Sequence, residues 1–294
     1  MHKHYLPSLT KVIQFSLTLL LAVILAACGG GSSSDSSAPD TPIEPVDDPV
    51  RGGYNALFAG HSFFRPVAEG MPEHVGRVGI EGHTQQVVMS GGATGSPQGL
   101  WENPSKRGEI QDILDAGDIE LFGMTYHPDY PTLEGYRNWV DYALEQNPDT
   151  KFFVALPWPT NPASMSFEDY ETAMVNGHPL FHSVIIDALR SEYPDNEFFC
   201  IPYGEGAVEL YRLYDSGNLH DVDTLQTSGS DLGIFRDNLG HPEQLLIDLG
   251  QLVWLEAIYK VDMAGYDYDA GYIADIKTIA SDIMARHDSS YDDR

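Results

Sequence analysis

Short apolar runs alternate along the chain with longer segments in which apolar residues recur every three to four positions. The short runs predict buried β-strands, and the periodic segments predict helices with one apolar face. The predicted strands cover residues 54–59, 83–90, 119–125, 152–156 and 197–201. The predicted helices cover residues 63–78, 109–116, 133–146, 167–174, 179–190, 206–214, 242–259 and 270–285.

Five strands that alternate with helices indicate an α/β fold with a parallel sheet and right-handed crossovers. Their number and spacing favour the flavodoxin-like doubly wound arrangement, with strand order 2-1-3-4-5 and three αβα layers. The unbroken apolar run 152–156 is typical of a central strand that is buried on both faces. The Asp-, Gly- and Ser-rich segment 215–233 predicts a loop, and the polar residues 288–294 predict a frayed tail.

The chain begins with a different pattern. Lys3 and Lys11 precede an apolar run over residues 12–27, which ends in Leu-Ala-Ala and then Cys28. This predicts a secretory signal over residues 1–27, since the run is too short for a comfortable membrane span. The ending resembles the bacterial lipoprotein signal, and the resemblance implies cleavage before Cys28 and lipidation of that cysteine. A plain cleaved signal and an N-terminal anchor helix are the alternatives.

These features predict an exported bacterial lipoprotein that contacts the membrane only through its lipid anchor. Gly29 follows the cysteine and offers no acidic retention signal for the inner membrane. We therefore expect the outer membrane, with the protein facing the periplasm or the cell surface. Residues 28–53 are rich in Gly, Ser, Pro and Asp and predict a flexible tether. Residues 54–294 then form one domain, a size that allows a substantial core.

The formal net charge of −28 marks a strongly acidic protein. Such a charge repels nucleic acid and anionic membrane surfaces, so neither is an expected partner. Solubility in a salty medium is the simplest reason for the excess. The sequence contains neither Gly-x-Gly-x-x-Gly nor a phosphate loop, and we therefore expect no nucleotide cofactor.

No metal site is predicted either. Of the two cysteines, Cys28 belongs to the signal, and Cys200 lies in an apolar run that predicts a reduced, buried thiol. His178 and His182 have the spacing of two helical metal ligands but lack the Glu of the zinc-protease motif. A helix start at the protein surface is the simpler explanation for this pair.

Candidate chemistry begins where the first strand ends, at Gly60-His61-Ser62. A strand, a glycine turn, a small nucleophile and a helix present a hydroxyl at the carboxyl edge of a parallel sheet. There, Ser62 is either a nucleophile or an ordinary helix N-cap.

A second candidate stretch precedes the last long apolar helix and contains Asp237 and His241. A serine nucleophile needs a base to take its proton, and the base needs a carboxylate to fix its tautomer. His241 and Asp237 are the candidates for these two roles, and Asn238 is an alternative partner for the imidazole. The competing explanation is that His241 begins the helix and Asp237 is one more surface acid.

Together these stretches resemble the SGNH (GDSL-type) hydrolase superfamily over most of residues 54–259. Gly60-His61-Ser62 matches the first block with His61 in place of Asp, and Ser90-Gly91-Gly92-Ala93-Thr94-Gly95 partly matches the second. The third block departs from the family, because Thr125 stands where the oxyanion-binding Asn is expected. In the last block, Asp237 and His241 are one residue further apart than the family's Asp-x-x-His.

The resemblance implies a serine esterase in which Ser62 attacks an acyl carbonyl, His241 carries the proton and Asp237 holds His241. The N–H groups of Ser62 and Gly92 would bind the oxyanion, with a weaker contribution from Thr125 or His127. The implied substrate is a small ester or an acylated saccharide, and acetyl is the expected acyl group.

The aromatic residues near the predicted active edge suit the binding of such a sugar. Trp101, His127 and Trp158 are the candidate substrate-binding residues, although loop packing explains the Trp158 loop equally well. Two other hypotheses stay open. One is a non-catalytic lipoprotein that keeps the fold and binds a glycan or a protein. The other is a hydrolase whose base or oxyanion group lies elsewhere, for instance at His127.

Overall fold

The computed structural model describes residues 52–292, which lie in one compact unit of the chain. A parallel sheet of five strands has the order β2-β1-β3-β4-β5 and confirms the predicted α/β architecture. The strands are β1 (Asn55–Gly60), β2 (Thr84–Met89), β3 (Leu121–Thr125), β4 (Lys151–Ala155) and β5 (Phe198–Ile201).

Helices follow the strands. They are α1 (Arg65–Arg77), α2 (Pro97–Glu102), α3 (Pro104–Leu114), α4 (Glu134–Gln146), α5 (Phe167–Phe181), α6 (Asp187–Glu192), α7 (Glu205–Asp215), α8 (Gln244–Tyr259) and α9 (Ile276–Arg286). A π-helical turn, His182–Ile186, joins α5 to α6. Within residues 52–292, no helix combines the length and the apolar character that crossing a membrane requires.

The sheet is the middle of three layers, as its aromatic side chains show. Because side chains alternate between the faces of a strand, Phe152 and Phe153 lie on opposite sides of β4. Phe153 packs against Trp254 of α8 with ring centroids 5.1 Å apart. On the other face, Phe122 packs against Trp139 of α4 at 6.4 Å. All of these rings are buried, so helices cover both faces of the sheet and exclude water from it.

Several element predictions need correction. The helix predicted over residues 109–116 is α3 and begins at Pro104, and α2 was not predicted. Segment 215–233 is not a plain loop, since Thr224–Gln226 (β6) pairs in parallel with Gly233–Phe235 (β7). These strands have only three residues each, too few to show a periodic pattern. Residues 175–178 are helical and merge the two helices predicted on either side of them. Helix α9 begins at Ile276 and not at 270, because Asp275 accepts the Thr278 N–H as its N-cap.

Candidate active site

Ser62 lies in the turn between β1 and α1, at the carboxyl edge of the sheet. The turn is tight: a Cβ atom at Gly60 would lie only 2.5 Å from the Phe64 ring, so glycine is required there. Phe64, and not Ser62, occupies the N-cap position of α1. The helix-cap explanation for Ser62 is therefore wrong, and its hydroxyl is available for other contacts.

The Ser62 hydroxyl contacts His241 across 179 positions of sequence. Its Oγ lies 2.8 Å from His241 Nε2. On the other side of the imidazole, Nδ1 lies 2.7 Å from Oδ2 of Asp237. A hydroxyl, an imidazole and a carboxylate thus form one hydrogen-bonded chain. This is the arrangement in which a serine can be deprotonated as it attacks a carbonyl carbon.

Asp237 and His241 are one residue further apart than in the Asp-x-x-His pattern, and the loop between them accommodates the extra residue. Asp237 Oδ1 accepts the backbone N–H groups of Leu239 at 3.0 Å, Gly240 at 3.2 Å and His241 at 3.2 Å. Gly240 has a φ of +94°, which lets the chain turn tightly enough for these contacts. Asn238 is exposed, so Asp237 is the residue that orients His241.

The Asp237 carboxyl is held in its ionised form. Partial desolvation acts to raise its pKa, but the hydrogen bonds from the His241 side chain and backbone outweigh this effect. Together with the Gly240 N–H, they hold the pKa of Asp237 below its usual value. The carboxylate is therefore charged at neutral pH and can stabilise the imidazolium that forms when His241 takes a proton.

His61, the residue before the nucleophile, is buried and keeps the turn in place. Its Nε2–H donates to the Tyr126 carbonyl at 3.1 Å, and its Nδ1 accepts the Phe63 N–H at 3.2 Å. These two contacts fix one neutral tautomer and connect the nucleophile turn to the end of β3. Burial lowers the pKa of His61 to about 4, so the ring is uncharged at neutral pH.

The low pKa of His61 predicts a specific pH dependence of stability. The unfolded chain takes up this proton near pH 6.5 and the folded chain only near pH 4, so stability falls as pH decreases through that window. The full loss is about 3 kcal/mol. His178 and His182 have similarly lowered pKa values, so His61→Asn should lose only the part of the decline that is due to His61. Urea unfolding of both proteins at several pH values between 4 and 7 measures it. A difference in unfolding free energy between wild type and His61→Asn that stays constant across this pH window would contradict the lowered pKa of His61.

Two backbone N–H groups are placed to bind an oxyanion. Within residues 52–292, neither Ser62 N–H nor Gly92 N–H has an acceptor, and both residues line the same cavity. Gly92 has a φ of +53° and begins a 3-10 turn, Gly92–Gly95. A Cβ atom at Gly95 would lie 2.7 Å from the His61 backbone, so this turn packs directly onto the nucleophile turn. The oxyanion role of these two N–H groups stays a prediction.

Thr125 does not take the place of the family's oxyanion-binding Asn. The residue is fully buried, and its Oγ1 lies 3.3 Å from His61 Nε2 and 3.4 Å from the Ala155 carbonyl. It is not among the residues that line the cavity. The predicted oxyanion contribution of Thr125 is therefore wrong, because its hydroxyl is used inside the sheet edge.

His127, two residues further on, does reach the cavity. Its Nδ1 accepts the Asp129 N–H at 3.2 Å, which leaves the proton of the neutral ring on Nε2. Partial burial lowers the pKa of His127, so the neutral ring predominates at neutral pH. His127 is thus a donor that lines the same cavity as Ser62, whereas among residues 52–292 it is His241 that contacts the Ser62 hydroxyl.

The cavity beside Ser62 has a volume of about 630 Å³. Its lining is mainly apolar and includes Phe63, Leu156, Pro157, Trp158, Met165, Met174 and Leu239. Phe63, Met165 and Met174 were not predicted as site residues from the sequence. Phe63 directly follows Ser62, and this position could have identified it as a site residue. The methionines come from a distant loop and helix, so no sequence signal linked them to the site. A site of this composition suits an apolar group.

Trp158 contributes to this wall from a packed position. It is only 2% exposed, its indole N–H donates to the Gly240 carbonyl at 2.8 Å, and its ring stacks on Phe63 at 5.0 Å. Phe63 in turn contacts the His241 ring edge-on at 5.2 Å. Trp158 lines the cavity but presents no open face for a sugar, and its main effect is to hold the Asp237–His241 loop.

Trp101 lies elsewhere. Its ring packs edge-on against Trp139 at 4.8 Å, and the Arg107 guanidinium lies 5.7 Å from the ring centroid. It does not line the cavity, so the expectation that it binds substrate is wrong.

The proposed signal, the tether and the lipidated Cys28 lie outside the described residues, except for Gly52 and Gly53 at the end of the tether. They stay predictions.

Comparison with known proteins gives similarity at the level of fold. No protein-family model matches the chain, and no curated protein matches it. A solved DUF4886 family protein from Bacteroides uniformis is similar to this chain with a TM-score of 0.55 and 16% identity. The alignment covers 80% of this chain and 95% of that one. At this identity the likeness establishes the fold alone.

Two further solved structures are more distant. A GDSL-like lipase from Parabacteroides merdae has a TM-score of 0.42 and 16% identity, over 70% of this chain and 97% of that one. The periplasmic domain of a lipopolysaccharide acetyltransferase from Salmonella ser. Paratyphi A has a TM-score of 0.38 and 12% identity. That alignment covers 68% of this chain and 81% of the other. Neither likeness is strong enough to assign an activity.

Proposed function

We propose that this protein is a serine hydrolase that acts on carboxylic esters. One observation carries the proposal: Ser62, His241 and Asp237 form a continuous hydrogen-bonded chain at the mouth of a cavity. A serine at a helix start needs no such partners, whereas a nucleophilic serine needs both.

The first half of the reaction forms an acyl-enzyme. Ser62 Oγ attacks the ester carbonyl carbon while its proton passes to His241 Nε2, and the carbonyl π electrons move to oxygen. The N–H groups of Ser62 and Gly92 bind the resulting oxyanion. The tetrahedral intermediate collapses, the carbon–oxygen bond to the alcohol breaks, and His241 returns the proton to the departing alcohol.

The second half releases the acid. A water molecule replaces the alcohol, and His241 takes a proton from it as it attacks the acyl carbon. Collapse of the second intermediate returns the electron pair and the proton to Ser62 Oγ. Asp237 stays ionised throughout and stabilises the imidazolium form of His241 twice in each cycle.

The cavity favours an apolar acyl or aryl group in the substrate. Its wall contains three aromatic side chains (Phe63, Tyr126 and Trp158) and two methionine side chains, which exclude water and bind such groups by burial. The acetylated saccharide that the family resemblance implies would place hydroxyl groups against this wall, at a cost in desolvation. We therefore propose an ester with an apolar acyl chain as the first candidate substrate and the acetylated saccharide as the second.

Labelling with a fluorophosphonate tests the proposal directly. The probe reacts with an activated serine, so we expect one adduct per full-length chain, located at Ser62 by peptide mass spectrometry. Ser230, an exposed loop serine, serves as the internal control and should stay unlabelled. An unlabelled protein with a native circular dichroism spectrum would instead support the non-catalytic binding lipoprotein.

A series of p-nitrophenyl esters tests the substrate class. We expect kcat/KM to rise from acetate to butyrate to octanoate, since each additional buried methylene contributes about 0.8 kcal/mol at most. Strict preference for acetate, with no gain from a longer chain, would favour the acetylated substrate.

His127 should act as the third oxyanion donor, because it lines the cavity with a protonated Nε2. Loss of one such donor lowers kcat by about 10²- to 10³-fold in comparable sites. We expect His127→Ala to fall in this range and Asp129→Ala, which removes only a neighbouring exposed carboxylate, to stay within a few-fold of wild type. A His127→Ala variant with unchanged kcat would leave the backbone N–H groups as the oxyanion donors.

A further inference from the structure

A second group of reactive side chains lies away from the catalytic cavity. It consists of His182 in the π-helical turn, Cys200 in β5 and His287 just after α9. One ring nitrogen of each histidine and the cysteine sulphur all lie within 4.8 Å of one another. The three residues are 9%, 1% and 6% exposed, and none of them lines the catalytic cavity. The surface placement expected for His182 is therefore wrong.

The two imidazoles face each other nitrogen to nitrogen. His182 Nε2 and His287 Nε2 are 3.4 Å apart, longer than the usual range of about 2.7–3.2 Å for a hydrogen bond from N–H. Two nitrogens bound to one tetrahedral zinc, each at about 2.0–2.1 Å from the metal, are also separated by about 3.4 Å. The observed distance is thus close to the one that shared coordination requires.

A carboxylate fixes the tautomer of His287. Its Nδ1 lies 2.6 Å from Oδ1 of Asp292, and a carboxylate accepts, so the proton is on Nδ1. The lone pair of His287 is then on Nε2, directed at His182 and Cys200. Carboxylate contacts of this kind orient the histidine ligands of metal sites.

The C-terminal residues hold this cluster closed. Tyr291 stacks on the His182 ring with centroids 3.9 Å apart, and its hydroxyl donates to Asp187 at 2.9 Å. Arg190 donates to the Ser290 carbonyl at 2.5 Å. The frayed tail predicted for residues 288–294 is therefore wrong through Asp292, the last described residue. The same contacts place Asp292 beside His287.

We propose that His182, Cys200 and His287 bind a zinc ion, with a water molecule as the fourth ligand. Two imidazole nitrogens and one thiolate are a donor set that zinc prefers over magnesium or calcium. Binding requires the thiolate, so the Cys200 proton is released to solvent as the Zn–S bond forms. The expectation from sequence that the chain has no metal site is revised accordingly.

The position of the site indicates a structural role. It joins an edge strand, the π-helical turn and the C-terminal segment. His182 and His287 are 105 positions apart in sequence. A metal that binds only the folded chain stabilises it by mass action. Zinc should therefore raise the melting temperature of the full-length protein, and a chelator should lower it.

Metal binding is tested on full-length protein treated with a chelator and then loaded with zinc chloride. Elemental analysis after gel filtration should give one zinc per chain. The cobalt-loaded protein should show a thiolate-to-cobalt charge-transfer band in the near ultraviolet. This spectrum is recorded on wild type, so it does not depend on whether a variant folds.

Variants distinguish this site from adventitious binding. We expect Cys200→Ser and His287→Gln to lose the bound zinc and Asp292→Asn, which keeps all three ligands, to bind about 10- to 100-fold more weakly. His220→Gln changes an exposed histidine outside the cluster and should bind as wild type does. Absence of the cobalt band, or full zinc loading in folded Cys200→Ser, would overturn the proposal.

Discussion

The Ser62→Ala variant should hydrolyse p-nitrophenyl acetate at least about 10⁴-fold more slowly than wild type in kcat. The substitution removes the atom that forms the acyl-enzyme, and what remains is binding and oxyanion stabilisation. The fold should be unaffected, since Ser62 is only partly buried and, within residues 52–292, its hydroxyl has no hydrogen-bond partner other than His241. Steady-state kinetics and thermal unfolding of the same preparation measure the two effects.

Ser230→Ala is the matched control for this experiment. It removes a serine hydroxyl from an exposed loop by the same substitution and should change neither kcat nor stability. Equal rates for wild type and Ser62→Ala would show that turnover comes from a contaminant or from another group, and the Ser62 mechanism would then be untenable.

The Asp237→Asn variant should lose about 10⁴-fold in kcat with little change in structure. The amide oxygen can still accept the backbone N–H groups of Leu239, Gly240 and His241, so the loop keeps its shape. The amide nitrogen, however, donates to His241 Nδ1 and forces the ring proton onto Nε2. A ring protonated on Nε2 cannot take the proton of Ser62, which stops the first step.

Asn238→Asp is the informative companion. It introduces an acid at the spacing of the SGNH Asp-x-x-His block, but at an exposed position. We therefore expect Asn238→Asp alone to resemble wild type and the double variant Asp237→Asn/Asn238→Asp to stay inactive. Recovery of activity in the double variant would show that the loop can present either residue to His241.

Both catalytic stretches could be recognised as candidates from the sequence. Gly60-His61-Ser62 was visible because a turn between strand and helix needs small residues and leaves the next side chain at the sheet edge. The Asp237–His241 pair was visible as an acid and a histidine before a core helix. Neither pattern by itself excluded a helix cap or a surface acid. Only the 2.8 Å contact between segments 179 residues apart does so.

The oxyanion side of the site was less predictable. Sequence places Thr125 at the position of the missing Asn, but the direction of a side chain at a strand end depends on register. The register with β4 sets Thr125 opposite Ala155 and turns its hydroxyl into the sheet edge. His127 begins the turn after β3, in which the Tyr130 N–H donates to its carbonyl at 3.0 Å. Pro128 and Asp129 are typical of such a turn, but they do not indicate that the His127 side chain lines the cavity.

The sequence alone determined the α/β class, the strand order and the two candidate catalytic stretches. The class follows from local periodicity, the strand order from the number and spacing of the strands, and the two catalytic stretches from short motifs of neighbouring residues. Tertiary structure decided which side chains meet: the triad, the apolar wall of the cavity, and the His182–Cys200–His287 cluster. Such contacts join residues from distant segments, and their distances follow from packing the whole domain, which no single stretch specifies.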